Sequence, residues 1–347
     1  MTTPTSLKPW TIFCRVVDNY GDIGVCWRLA AQLAERGHAV TLYVDDASAL
    51  RWMAPQGSPS VRVLAWPQEH ASFGSEDSAQ VVIEAFGCTL PQGFQAAMAA
   101  WPQAPVWINL EYFSAEDEAL RNHGLPSPVL HGPAKGLSKW FFYPGLSEKS
   151  GGLLQGPTPQ SVTFLADSLL RISVFCYEPA SLGLWLQQLN ELPQSVRLQV
   201  TAGRATQAVR LAIQQLGQNH QLEVTELPYV SQTEFDHLLA AQDLNLVRGE
   251  DSLARAIWAG KAFLWQIYPQ DDGAHLKKLT AFLNASQAPD VVVQAHLAWN
   301  ADQATALPVL SPAVLKEWTA WAIDLRMRLS QQTDLLTRLE SWVAAHG

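Results

Sequence analysis

Asp18 and Asp22 stand four residues apart in "DNYGDIGVCWRLA", directly after an apolar run that ends at Val17. A carboxylate at such a place can accept a proton from a nucleophile as a general base. It can also do something plainer: Asp18 can close an Asx-turn and Asp22 can cap the following helix. The two glycines, Gly21 and Gly24, do not complete a GxGxxG fingerprint, and carboxylates repel phosphate, so a dinucleotide-binding turn is a poor reading. Spacing alone leaves the turn and the site both open.

A second stretch repeats the arrangement. In "LNLVRGEDSLARAIWAGK" a short apolar run ends in Arg248, Gly249, Glu250, Asp251 and Ser252, and a helical pattern follows. Asp251 or Ser252 can serve as the N-cap. Arg248 beside a helix N-terminus also makes a diphosphate cradle, with a fixed guanidinium, free backbone N–H groups and the positive dipole end. Glu250 suits sugar hydroxyls better than phosphate. Three further stretches end apolar runs with polar or aromatic groups. Phe175 and Tyr177 in "ISVFCYEP" read as core packing or as a stacking platform for a flat base. Gln266, Tyr268 and an acidic pair lie in "LWQIYPQDDGAH", and Glu111 and Tyr112 in "INLEYFSAED"; each of these reads by default as a solvated turn. The nine histidines show no HxH or HExxH spacing, so no metal site is expected.

These groups need elements to hold them, and the chain supplies two sets. With 347 residues, two domains are the natural expectation. Apolar residues make up 48% and charged residues 16%, an ordinary globular composition. The net charge of −9 argues against binding nucleic acid or an anionic membrane through a basic surface. Cys14, Cys26, Cys88 and Cys176 are scattered and read as reduced core residues of a cytoplasmic chain. No signal peptide and no transmembrane helix are expected.

Apolar runs at Thr11–Val17, Val40–Val44, Val61–Ala65, Val81–Phe86 and Val106–Leu110 read as strands, and Gly24–Glu35 as a helix stopped by Gly37. Gly145–Pro159, "GLSEKSGGLLQGPTP", is the best linker candidate. The alternation then restarts with strands at Arg171–Tyr177, Arg197–Thr201, Leu222–Leu227, Asn245–Val247 and Ala262–Trp265. Helices are expected at Pro179–Leu189, Ala205–Leu216, Gln232–Ala241 and Ser252–Gly260, with two more in the long helical pattern Pro312–Ala345. Strands alternating with helices imply parallel sheets with covered faces, so the expected class is α/β with two domains in tandem. In such sheets ligands bind outside the carboxyl ends of the strands, where every stretch above falls.

Six stretches together resemble one family. They are "DNYGDIGVCWRLA", "INLEYFSAED", "FYPGLSEKSGGLL", "VFCYEP", "RGEDSLARAIWAGKAFLWQIYPQ" and "DDGAH", in order from about residue 11 to residue 280. The family is the bacterial protein-arginine rhamnosyltransferases that modify translation elongation factor P. The resemblance implies a GT-B fold, two Rossmann-like domains facing each other across a cleft. The first would take residues 1–158, with a C-terminal helix at about 330–347 packing back on it, and the second residues 159–329. It implies dTDP-β-L-rhamnose as donor, an arginine side chain of elongation factor P as acceptor, inversion at the anomeric centre, and no metal or other cofactor. Asp22 matches the general base, and Asp18 and Asn19 line the same loop. Phe175, Tyr177, Arg248, Glu250, Asp251 and Ser252 match donor contacts, with Gln232 and Tyr268 as weaker matches. Glu118 stands where the family pattern carries an aromatic.

Under that reading the acidic loop has a purpose. A guanidinium stays protonated and its nitrogen lone pairs are delocalised, so it is a poor nucleophile. A carboxylate can orient it and take a proton as the C–N bond forms. Two other classes remain open from sequence: a different GT-B nucleotide-sugar enzyme, such as an epimerase or a small-molecule transferase, and a non-catalytic nucleotide-sugar sensor.

Overall fold

Strands in the middle of a parallel sheet are covered on both faces, and the first run of the chain behaves that way: all five residues of "WTIFC" are buried. The computed structural model describes residues 9–17, 20–156, 169–217, 220–270 and 273–347. The chain divides into two compact units, Met1–Leu154 with Gln332–Gly347, and Gln155–Gln331.

The first unit runs β1 (Trp10–Cys14), α1 (Gly21–Glu35), β2 (Val40–Val44), α2 (Leu50–Met53), β3 (Val61–Ala65), β4 (Val81–Ala85), α3 (Gln92–Ala100), β5 (Val106–Leu110), α4 (Asp117–Asn122), β6 (Pro126–Pro128) and β7 (Ser138–Phe142). Its sheet has the order β3-β2-β1-β4-β5-β7-β6. Only the β6–β7 pair is antiparallel among these strands. The order reverses beside β1, which makes the loops after β1 and β4 the expected ligand edge. On α1 the buried residues Ile23, Cys26, Trp27, Ala30 and Leu33 recur every three or four positions and face the sheet. Gly37, at φ 91°, ends that helix where a side chain would be strained.

The second unit runs β8 (Leu169–Val174), α5 (Leu182–Asn190), β9 (Ser195–Val200), α6 (Arg204–Leu216), β10 (Leu222–Glu226), α7 (Gln232–Ala240), β11 (Leu244–Arg248), α8 (Gly249–Ala259), β12 (Ala262–Gln266), α9 (Ala274–Ala285), α10 (Asp290–Trp299) and α11 (Pro312–Ser330). Its five strands are all parallel, in the order β10-β9-β8-β11-β12. Here the order reverses between β8 and β11. Ser231 opens α7 with a capping box: its hydroxyl accepts the Glu234 N–H, and the Glu234 carboxylate accepts the Ser231 N–H. Ser231→Ala is expected to cost about 0.5–2 kcal/mol of stability, read as a lower urea midpoint with an unchanged slope.

The last helix, α12 (Leu335–His346), belongs to the first unit. Leu335, Leu336, Leu339 and Val343 enter the same core as Ile12, Ile23 and Leu42. This contact explains a departure from the linker expectation. Gly145 and Ser150–Leu154 are buried and packed against the chain that enters α12. Leu335 N–H donates to the Leu153 carbonyl at 3.0 Å, and the Arg338 guanidinium donates to the carbonyls of Glu148 and Ser150. Gly152, at φ 75°, lies where a Cβ would come within 2.9 Å of the Thr333 carbonyl oxygen. The glycines of this stretch serve close packing there; its continuation, residues 157–168, lies outside the described residues.

Several element ends also differ from expectation; α1 begins at Gly21 rather than Gly24, and α5 at Leu182 rather than Pro179. β1 stops at Cys14 because Val16 N–H turns to Asp45 Oδ1 and Val17 N–H to Asp22 Oδ2. β8 stops at Val174, and the Tyr177 N–H is taken by the Gln266 side chain. α8 begins at Gly249, three residues before Ser252. Strands β6 and β7 and helices α2, α3, α4, α9 and α10 had no named counterpart among the expected elements.

Candidate functional site

Asp22 occupies the second position of α1 and is 2% exposed. It is not the N-cap: that residue is Tyr20, which makes no side-chain capping bond. The carboxylate is fixed from two sides. Val17 N–H donates to Oδ2 at 2.7 Å, and the Tyr112 hydroxyl donates to Oδ1 at 3.1 Å. The α1 N-terminus adds a favourable dipole for the negative charge. Tyr112 comes from the loop after β5, so the structure brings it to Asp22 from ninety residues away. Its ring stacks on Phe86, with centroids 4.4 Å apart and planes at 14°. Tyr112 read as a solvated turn residue in the sequence; its partner shows otherwise. Asp18 and Asn19 lie outside the described residues.

In the second unit the carboxyl ends of β8 and β11 meet. Arg248 ends β11 and is the N-cap residue of α8. Its guanidinium lies 4.6 Å from the Phe175 ring centroid and 4.4 Å from that of Tyr177. The expectation of an open platform for a flat base therefore changes. These two rings carry the guanidinium, through the attraction of a cation for a ring face. Arg248 is 6% exposed, and its Nη1 has no hydrogen-bond partner among the described residues. A buried guanidinium N–H edge without an acceptor is a preformed receptor for an anion.

The neighbouring groups hold this receptor in place. The Ser252 hydroxyl accepts the Arg248 N–H at 3.1 Å and donates to the Arg248 carbonyl, so it braces the loop through the backbone of Arg248. Trp265 Nε1 donates to the Gly249 carbonyl at 2.7 Å. Glu250 pairs with Lys278 of α9, and Asp251 lies 4.0 Å from Arg255 one turn on. Tyr268, 46% exposed, meets the Tyr177 ring edge-on at 5.6 Å. Gln232 opens α7, which also sends Phe235 edge-on against Phe175 at 5.5 Å. Asp271 and Asp272 lie outside the described residues.

A second cation joins the cluster. Arg204, first residue of α6, lies 5.2 Å from the Tyr177 centroid and pairs with Glu178. That bond holds the Glu178 carboxyl below its ordinary range and the Arg204 guanidinium above its own. Sequence reasoning passed over Arg204, Lys278, Phe86 and Phe235. For Arg204 a signal existed: it opens the helix that follows β9 after a three-residue turn, at the edge where ligands bind. Cys176, between the two platform aromatics, is a core residue, with burial pushing its thiol up to about 12. All four cysteines are free and buried. Among the described residues no group of three or more His, Cys, Asp or Glu is placed to hold a metal ion, and no helix is long and apolar enough to cross a membrane.

Comparison with known proteins places this geometry. The family model described as Elongation-Factor P (EF-P) rhamnosyltransferase EarP matches residues 10–344. A protein-arginine rhamnosyltransferase of Pseudomonas putida is 42% identical over 92% of this chain and 88% of its own length. One from Pseudomonas aeruginosa is 40% identical over 97% of this chain and 99% of its own. A solved structure reported as the structural basis for EarP-mediated arginine glycosylation of translation elongation factor EF-P superposes with a TM-score of 0.62 and 29% identity, over 97% of this chain and 99% of that one. The glycosyltransferase VinC in complex with dTDP superposes at 0.53 with 11% identity, over 98% of this chain and 100% of that one, a likeness of GT-B fold alone. With two Rossmann-like sheets, and with relatives this similar along almost its whole length, the chain belongs to the EF-P rhamnosyltransferase family of protein-arginine rhamnosyltransferases and is a GT-B glycosyltransferase enzyme.

Proposed function

We propose that this enzyme moves L-rhamnose from dTDP-β-L-rhamnose to an arginine side chain of translation elongation factor P, with inversion and with Asp22 as general base. The observation that carries the reading is the Arg248 guanidinium, buried against two aromatic rings with an N–H edge that lacks an acceptor. A nucleotide-sugar donor supplies that acceptor as its diphosphate. The acceptor protein follows from the family, whose solved member is described as glycosylating EF-P on arginine.

The step balances as a single displacement. An arginine nitrogen attacks the anomeric carbon and forms the C–N bond. The bond from that carbon to the diphosphate oxygen breaks, and its electron pair leaves with dTDP. The proton lost by the attacking nitrogen goes to Asp22. Inversion needs the base on the sugar face opposite the departing group. The negative charge that builds on dTDP is met by Arg248 and by the N-terminus of α8.

Intact-mass spectrometry of elongation factor P, incubated with this enzyme and dTDP-rhamnose, tests the reading. One added deoxyhexose, mapped to arginine by fragmentation, is the expected result. Consumed donor with unmodified elongation factor P would point to a small-molecule acceptor, and bound but unconsumed donor to a sensor. Because Arg248 and the helix dipole meet the leaving charge, transfer is expected to continue in excess EDTA. Activity lost to the chelator and restored by magnesium or manganese would instead make Asp18, Glu250 and Asp251 candidate ligands.

A further inference from the structure

Phe86 follows β4 and has φ 57°, a left-handed conformation that an aromatic residue rarely adopts. Such strain persists only where surrounding structure over-determines it, and it concentrates at functional sites. Two contacts hold Phe86 in place. Its N–H donates to the Leu110 carbonyl at 2.7 Å, which ties the loop after β4 to the end of β5. Its ring lies flat on Tyr112. The residue before Tyr112 is held as well: Glu111 N–H donates to the Phe142 carbonyl at 2.9 Å, and Asn109 Nδ2 donates to Glu111 Oε1 at 2.7 Å. The chain leading into Tyr112 is thus fixed before the phenol reaches Asp22.

We infer that Tyr112, seated by the strained Phe86 ring, is a positioning residue that orients the Asp22 carboxylate for proton transfer. The inference rests on the reading of Asp22 as the base. One donor on each oxygen fixes the plane of the carboxylate. Each oxygen of an ionised carboxylate carries two lone pairs, so these two bonds do not by themselves stop the group accepting a proton from the substrate. The phenol is suited to this post because its O–H rotates. It donates to the anion and can turn away once Asp22 is protonated, whereas the Val17 N–H is fixed in direction. A donor to the charged form also favours that form, which keeps the base ionised at lower pH. Another titratable group close to Asp22 is Cys26, one turn along α1. Its thiol is pushed well above its ordinary value by burial first, then by Cys14 and by the charge of Asp22, so it stays neutral through the working range.

The test is Tyr112→Phe in the full enzyme, with single-turnover transfer to elongation factor P measured across pH. Loss of one charge-assisted hydrogen bond should lower kcat about tenfold and move the acid limb of the profile up by about one pH unit. KM for dTDP-rhamnose should stay near wild type. Phe86→Gly relieves the backbone and removes the wall, so it should fold and shift kcat and the acid limb in the same direction. Because Phe86 acts through Tyr112, the double variant should be no worse than Tyr112→Phe alone. Should Tyr112→Phe melt early, Phe86→Gly carries the test by itself. An acid limb left in place, with kcat within about twofold of wild type, overturns the inference. Additive losses in the double variant overturn the part given to Phe86. If Asp22→Asn transfers normally, the base reading itself has failed; if Asp22→Asn is dead and the Tyr112→Phe profile is unmoved, only the positioning role falls.

Discussion

Asp22→Asn is expected to bind dTDP-rhamnose about as well as wild type and to transfer rhamnose roughly 10²–10⁴-fold more slowly, the span for losing a general base. The structure shows why this substitution is a clean one. An asparagine can aim its carbonyl oxygen at the Val17 N–H and its amide N–H at the Tyr112 oxygen, which accepts as readily as it donates. The loop therefore keeps both contacts and loses the proton acceptor. The helix-cap alternative drew its force from asparagine being as good an N-cap as aspartate. Asp22 sits one turn position inside α1 instead, and Tyr20 holds the cap. Donor affinity by titration calorimetry and single-turnover transfer followed by intact mass decide the matter together. Near-normal transfer removes Asp22 from catalysis and makes Asp18 the next candidate. Loss of both binding and transfer assigns the carboxylate to holding the loop.

Arg248→Ala should weaken dTDP binding roughly 10- to 150-fold, the equivalent of about 1.5–3 kcal/mol for a hydrogen bond to a charged group. Two terms compete in the unliganded protein. Burying a cation with an unsatisfied N–H costs several kcal/mol, and each of the two desolvated ring faces returns about 2 kcal/mol, so the two come close to cancelling. Arg248→Met, which keeps volume against Phe175 and Tyr177, should therefore melt close to wild type without ligand. It should also gain less on adding dTDP, since ligand stabilisation follows affinity. Equal dTDP affinity in wild type and both variants would remove Arg248 from the donor site. A large loss of stability in Arg248→Met would show that the guanidinium is a structural strut.

Much of the architecture is legible because parallel strands announce themselves. β1, β4, β5, β11 and β12 are buried at every residue and read as mostly apolar runs. The loops after β1 and β11 could be marked as ligand edges for the same reason. β7, "SKWFF", was missed because it opens with serine and lysine near the sheet margin and is only half buried over most of its length. The buttress behind Asp22 was out of reach for a different reason. No residue type advertises that Phe86 will take a positive φ, with a glycine directly after it as the easier candidate. Nor does spacing bring Tyr112 to Asp22, or Arg248 to Phe175; those meetings are made by strand order, which places β4 beside β1, β5 beside β4, and β11 beside β8.

The first unit is closed by the last residues of the chain, and this orders events during synthesis. A ribosome delivers residues in sequence at about 5–20 per second. Residues 1–154 emerge first, yet their core lacks Leu335, Leu336, Leu339 and Val343 until codons 335–343 have been read. The segment 155–331 has all of its own strands and helices before that moment. Vectorial emergence therefore lets the second unit finish ahead of the first, against the usual order along a nascent chain. A frameshift or premature stop between codons 332 and 343 would leave the Asp22 unit with an open apolar face and hand it to the cell's proteases, even though every residue of that acidic loop had already been made.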